Sequence, residues 1–211
     1  RKKFEDEEIR VLTGHTAKEI IIGNNSKTLV CDHNGQKVDI EFDEILVAVG
    51  RAANSKGFGL EELDVQLNPN GTIAVDEYLQ TNIPNILAAG DVAGPYQFTH
   101  VAAHQAWYAA VNSLFGKFKK FKTDYRVIPW ATYTDPEVAR VGFNETDAKE
   151  KEIEYEVTVY GIDDLDRAIA DSENNGFVKV LTPPKSDKIL GVTIVGPHAS
   201  DIIAEYVFAM K

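Results

Sequence analysis

The chain has 211 residues, of which 44% are hydrophobic and 26% are charged, and this composition is typical of a folded globular protein. Its 33 acidic side chains outnumber 22 basic ones, which gives a formal net charge of -11 at pH 7. That charge disfavours contact with nucleic acid phosphates and with anionic membrane surfaces. The N-terminal sequence lacks the apolar core of a signal peptide. We therefore expect a cytoplasmic protein that neither binds nucleic acid nor inserts into a membrane.

Both ends of the sequence lie inside patterns typical of helices. The chain begins at Arg1 within a charged run, and it stops at Lys211 after apolar residues at helical spacing. No glycine follows that could end the last helix. We therefore expect this sequence to be a piece of a longer polypeptide.

The first fifty residues predict strands. Short runs over 9–14 and 17–22 and two runs joined by the hairpin signal Asn34-Gly35 predict a meander. The continuous apolar run over 44–50 predicts a strand that is buried on both faces. A second short strand of this kind is predicted over 86–89.

The remainder of the chain predicts one long helix and then a sheet. The alanine-rich residues 100–115 predict a helix, and Gly116 is placed to end it. After a basic stretch, four runs with turn signals between them and a helix near 145–151 predict an antiparallel sheet flanked by helices. The four strand runs are 130–134, 155–161, 176–182 and 189–196.

The strongest signal of a binding site lies between Thr81 and Ala106. Gly90 has no side chain, so a ligand can approach the backbone there, and Asp91 presents a carboxylate that suits a polyol hydroxyl. The helix begins near 99–100, where unpaired N–H groups favour an anion. The alternative is an ordinary Gly-Asp turn followed by a capped helix.

These residues resemble a known family. The pattern T-x-x-P-x-I-x-A-x-G-D resembles the second flavin-binding motif of the FAD-dependent pyridine nucleotide-disulfide oxidoreductases, especially the mercuric-reductase-like and dihydrolipoamide-dehydrogenase-like branches. Residues 44–61 look like the loop that crosses from the NAD domain to the FAD domain, and residues 133–148 look like the start of the dimerisation domain. The motif is filled here by Thr81, Pro84, Ile86, Ala88, Gly90 and Asp91.

The resemblance implies a C-terminal fragment of mixed class, α/β and α+β. Residues 1–49 would form the C-terminal part of a Rossmann-type NAD-binding domain, and residues 50–123 the C-terminal part of an FAD-binding domain. Residues 124–211 would form a truncated α+β dimerisation domain with an antiparallel sheet, so a homodimer is expected.

The resemblance also implies cofactor contacts, with FAD and either NAD or NADP as the cofactors of the full-length parent. Asp91 would hold the ribityl chain of FAD, residues 97–100 would lie beside the pyrimidine edge of the flavin, and Gly50 would approach the nicotinamide nucleotide. Arg51 is either a partner of a cofactor phosphate or one half of a surface ion pair. The implied cofactor-binding residues are Gly50, Gly90, Asp91, Gln97, Phe98, Thr99 and His100.

The sequence departs from the family in its catalytic groups. Cys31 is the only cysteine, so the reactive dithiol is missing, and the fingerprint G-x-G-x-x-G and the terminal histidine segment are missing too. We assign no catalytic residue and no metal ligand. The parent would pass electrons from NAD(P)H through FAD to a disulfide, a metal ion or a similar acceptor, and the fragment alone is expected to be inactive. The alternative is a non-catalytic dimerisation or binding module.

Overall fold

The computed structural model describes residues 2–24 and 26–211, without the side chain of Lys2. The chain divides into two compact units, one ending at Gly50 and the other running from Arg51 to Lys211. The fold is mixed α/β with antiparallel sheets, as predicted. No helix among the described residues is long and apolar enough to cross a membrane.

The first unit contains the predicted meander. A short helix precedes three antiparallel strands in the order β1-β2-β3, while residues 9–14 form turns and irregular chain and are not the strand predicted there. Asn34 and Gly35 have φ of 54° and 80°, as a two-residue hairpin turn requires. Cys31 is buried on the middle strand. The elements are α1 (Lys2–Asp6), β1 (His15–Ile22), β2 (Lys27–His33) and β3 (Gln36–Phe42).

Two further predicted strands, over 44–50 and 86–89, are also wrong. Residues 44–50 form an irregular segment with exposed side chains, in which Leu46 is 90% exposed and Val49 88% exposed. Residues 86–89 contribute one isolated bridge, between Leu87 and Gln80. Both runs have the apolar sequence of a buried strand, but no strand of the described residues pairs with them. A strand forms only where a neighbouring strand accepts hydrogen bonds from its N–H groups and donates hydrogen bonds to its carbonyl groups.

The second unit begins with turns and continues into the predicted long helix. Residues 51–98 enclose a small core of Val65, Ile73, Ala88 and Ala93. The helix α2 (Thr99–Phe115) follows, and the backbone N–H of Gly116 caps it by donating to the carbonyl of Asn112.

The C-terminal part of the second unit is the predicted antiparallel sheet flanked by helices. The strand order of this sheet is β4-β5-β8-β7-β6. One of these strands, β5, is not among the four strands predicted from the sequence. The core lies between β5, β8 and the last helix, where Val141, Val192 and Ile203 are buried. The elements are β4 (Trp130–Thr132), β5 (Glu137–Gly142), α3 (Glu145–Glu150), β6 (Glu156–Gly161), α4 (Asp166–Ala170), β7 (Phe177–Thr182), β8 (Gly191–Gly196) and α5 (Ala199–Ala209).

Replacement of Gly142 by alanine should lower the free energy of unfolding by roughly 3 kcal/mol. Gly142 has φ of 70°, and a Cβ there would overlap with the carbonyl oxygen of Leu190 and lie 2.9 Å from the Cα of Gly191. The alanine therefore adds a clash between strands to the cost of a left-handed backbone. Urea unfolding of the variant measures the loss.

The matched control is Gly57→Ala. Gly57 has φ of 82°, but a Cβ there meets nothing within 4 Å, so only the backbone strain of about 1 kcal/mol applies. Fluorescence of Trp107 and Trp130 follows unfolding of the second unit, in which both lie. Equal losses in the two variants would contradict a steric role for Gly142.

Candidate functional site

The turn at Gly90 brings the backbone against α2. Gly90 is buried with φ of 86°, and a Cβ on it would lie 3.3 Å from the Cβ of Ala102. Such a contact is tighter than most side chains tolerate. A residue without a side chain is therefore required both by the left-handed backbone and by the approach of the helix.

Gln105 holds this turn in place. Its side chain is fully buried, and its Oε1 accepts a hydrogen bond of 2.5 Å from the N–H of Gly90. Its Nε2 donates to the carbonyl of Gly94 at 2.6 Å and to the hydroxyl of Tyr125 at 2.8 Å. Sequence reasoning gave Gln105 no role, although an amide on an alanine-rich helix is a signal that a buried polar group needs partners.

The threonine and proline of the motif shape the chain before the turn. Thr81 is buried, and its Oγ1 lies 2.9 Å from the carbonyl oxygen of Ile86 and accepts from the N–H of Ile83 at 3.1 Å. The carbonyl of Pro84 accepts a hydrogen bond of 2.5 Å from the side chain of Gln80. These hydrogen bonds fix the conformation of the segment that leads into the Gly-Asp turn.

The carboxylate of Asp91 pairs with Arg51. The two side chains are 2.8 Å apart, and they are 39% and 70% exposed respectively. An exposed ion pair of this kind contributes at most about 1 kcal/mol. A hydroxyl group of a ligand can therefore replace Arg51 as the partner of Asp91 at a small cost in free energy.

The N-terminus of α2 is open to a ligand. Its N-cap residue, Phe98, has extended backbone angles and makes no side-chain capping bond, and the first turn carries no acidic residue. Thr99 and His100 are exposed. The backbone N–H groups of Thr99 and His100 and the positive end of the helix dipole can thus act on an anion.

Aromatic rings line the approach to this helix end. The ring of His100 stacks on Phe98 with centroids 5.4 Å apart, and Phe98 stacks on Tyr96 at 6.4 Å. His104, which lies one turn further along the helix, contacts the backbone oxygen of Asp124 through Nε2 at 2.8 Å. His104 is therefore engaged in packing the helix against the following segment.

The structure brings most of the predicted site residues into one place. Gly90, Asp91 and residues 97–100 all belong to the turn, the loop and the start of α2 in the second unit. Gly50 belongs to the first unit, where it is exposed with φ of 116°, and a Cβ added there would meet nothing within 4 Å. Cofactor binding by any of these residues stays a prediction. In the described ranges no three His, Cys, Asp or Glu side chains form a metal-binding group.

Two family models match the chain. The model described as pyridine nucleotide-disulphide oxidoreductase matches residues 1–106, and the model described as its dimerisation domain matches residues 128–211.

Curated relatives match over most of this chain. The dihydrolipoyl dehydrogenase of Chlamydia muridarum is 38% identical over 171 residues, which are 81% of this chain and 36% of the relative. The mercuric reductase of Staphylococcus aureus is 34% identical, over 96% of this chain and 37% of the relative. The dihydrolipoyl dehydrogenase of Chlamydia pneumoniae is 34% identical, over 99% and 44%. The chain thus spans 36 to 44% of the length of these three relatives.

Solved structures share the fold. LpdA of Mycobacterium tuberculosis aligns with a TM-score of 0.84 at 23% identity, over 99% of this chain and 44% of that chain. The HOCl-induced flavoprotein disulfide reductase RclA of Escherichia coli aligns with a TM-score of 0.82 at 24% identity, over 99% of this chain and 47% of that chain.

Replacement of Gln105 by methionine should lower the free energy of unfolding by roughly 3 kcal/mol, because it leaves the buried N–H of Gly90 and carbonyl of Gly94 without a partner. Gln66→Met is the matched control, since the side chain of Gln66 is exposed. Urea unfolding of both variants provides the comparison. A loss within about 0.5 kcal/mol of the control would show that Gln105 does not hold the turn.

Proposed function

We propose that this chain, which belongs to the pyridine nucleotide-disulphide oxidoreductase family, supplies part of the FAD site and the dimerisation domain of a flavoprotein oxidoreductase. That protein would pass electrons from NAD(P)H through FAD to an acceptor. The observation that carries the proposal is the Gly90–Asp91 turn, which Gln105 holds against the uncapped start of α2.

The residues of this turn and helix suit the parts of FAD. Asp91 is half exposed and would accept a hydrogen bond from a ribityl hydroxyl in exchange for Arg51. Residues 97–100 would lie along the pyrimidine edge, where the N–H groups of α2 favour the negative charge of the reduced ring. Gly90 would keep the backbone close enough for these contacts. Bound FAD would supply the carrier that accepts hydride and passes electrons on.

The first unit would form the end of an NAD-binding domain. The proposed boundaries are 1–49 for this domain, 50–123 for the FAD domain and 124–211 for the dimerisation domain. The division of the chain after Gly50 supports the first boundary. Gly50 would contact the nicotinamide nucleotide, and its exposed, left-handed backbone is compatible with that contact.

The chain alone would not complete turnover. Its one cysteine, Cys31, is buried on a strand of the meander, so a dithiol that reduces the acceptor must come from other residues of the parent. The description of the family model names a disulphide and the name mercuric reductase names a metal, which supports acceptors of these two kinds. We place the protein in the cytoplasm. A non-catalytic dimerisation module is the second candidate, favoured by the match of residues 128–211 to the dimerisation-domain model beside an incomplete catalytic set.

In the full-length parent, Asp91→Ala should weaken FAD binding by roughly ten- to one-hundred-fold, because it removes a charge-assisted hydrogen bond of about 1.5–3 kcal/mol. Flavin absorbance per polypeptide after gel filtration measures retention. Unchanged flavin content would contradict the role of Asp91, whereas a parent that carries no flavin before the substitution would favour the non-catalytic module.

Two further variants make this test specific. Asp187→Ala removes an exposed carboxylate from a loop of the C-terminal sheet and should leave flavin content unchanged. Arg51→Gln separates the two roles open for Arg51. A loss of flavin would support contact with a cofactor phosphate, and no loss would support a surface ion pair with Asp91.

We also propose that the C-terminal part of the chain forms a two-fold homodimer. One face of α5 packs on the sheet through Ile203, while the helix exposes Ile202 at the side of that face and Phe208 on the outer face, with 44% and 85% exposure. A helix that covers a sheet usually keeps polar residues on its outer face. A second copy would cover this apolar surface, and two-fold symmetry is the commonest arrangement for such contacts.

Phe208→Glu should shift the chain from dimer to monomer, since the charge would be buried in the contact. Sedimentation equilibrium at a protein concentration on the order of tens of micromolar measures the molecular mass in solution. Leu46→Glu is the control, because Leu46 is 90% exposed but lies in the first unit. A wild-type chain that is already monomeric would contradict the proposed interface.

A further inference from the structure

A cavity of about 400 Å³ lies in the second unit beside the loop that precedes α2. Its walls come from that loop, from residues 125–130, from β5 and from α3 with the residue that follows it. Its volume falls within the range of small-molecule pockets. We call it the aromatic cavity because of the rings that line it, which belong to Tyr96, Phe98, Tyr125, Trp130 and Phe143.

The charged groups of the aromatic cavity are mainly cationic. Arg126, Arg140 and Lys151 line it together with one carboxylate, that of Asp147. Asp147 already forms an ion pair with Arg140, whose guanidinium also lies 5.8 Å from the ring centre of Trp130. Partial burial lowers the pKa of Arg140, so this cation is poorly hydrated. Arg140 and Asp147 thus offset each other, and the other two cations that line the cavity are Arg126 and Lys151.

Lys151 is the cation best placed to meet an anion. Its ammonium lies 5.9 Å from the centre of the Phe143 ring, and it forms no ion pair with any described residue. Arg126, by contrast, is neutralised by Asp124 at 2.7 Å. A cation that rests against an aromatic wall without a carboxylate partner can pair with an acid group on a ligand that packs against the same rings.

We propose that the aromatic cavity binds planar aromatic carboxylates of about two fused rings. The ring system would pack against the aromatic side chains, which favour offset or edge-on contacts, and the carboxylate would face Lys151. Phe98 is the one lining residue that the proposed FAD site also uses. The inference does not rest on the flavin assignment, because the groups that select the ligand lie on other elements of the second unit.

The test is titration of the 211-residue chain with 2-naphthoate by isothermal calorimetry. We expect saturable binding with Kd below about 1 mM, weakened about tenfold by Lys151→Glu. Lys149→Glu makes the same charge change two residues earlier, outside the cavity, and should leave Kd unchanged. The uncharged amide, 2-naphthamide, should bind about tenfold more weakly than the acid.

A spectroscopic measurement locates the ligand. The chain has two tryptophans, so Trp107→Phe leaves the indole N–H of Trp130 as a single reporter in the NMR spectrum. Its resonance should shift as 2-naphthoate is added, and Asp91→Ala should not alter that shift. Absence of binding, equal weakening by the two lysine variants, or an unmoved Trp130 resonance would each overturn the proposal.

Discussion

The carboxamide of Gln105 makes three hydrogen bonds from a fully buried position on α2, and the rest of the site depends on them. Two of them join the helix to the Gly90 turn and to Gly94, and the third reaches the hydroxyl of Tyr125. An amide is one of the few side chains that both donates and accepts, as this position demands. The turn, the helix and the following segment are thereby held as one arrangement.

In that arrangement the carboxylate of Asp91 and the uncapped N-terminus of α2 lie at the two ends of one loop. Asp91 is half exposed with an exchangeable partner, and the first turn of α2 has no side-chain cap. Water or Arg51 can satisfy these exposed groups in the free chain, and a ligand can take the place of either. The proposed FAD contacts satisfy each of them with one part of the cofactor.

The helix α5 links the fold to assembly. Its buried face contributes Ile203 to the core of the C-terminal sheet, and its outer face keeps Phe208 exposed. The same eleven residues therefore stabilise one subunit and would provide contact to another. The aromatic cavity lies elsewhere in this unit, beside β5 and α3, so ligand binding there would leave the outer face of α5 free.

The sequence by itself determined the hairpin at Asn34-Gly35, the long helix, the antiparallel sheet and the family, because local turn chemistry, periodicity and a contiguous motif specify them. It predicted strands over 44–50 and 86–89 from apolar runs, and these failed because a strand requires a paired neighbour that periodicity does not reveal. Only the tertiary structure decided the partners of Gln105, the pairing of Arg51 with Asp91 across 40 positions, and the aromatic cavity. Such contacts depend on how distant segments pack, and no local pattern in the sequence records that packing.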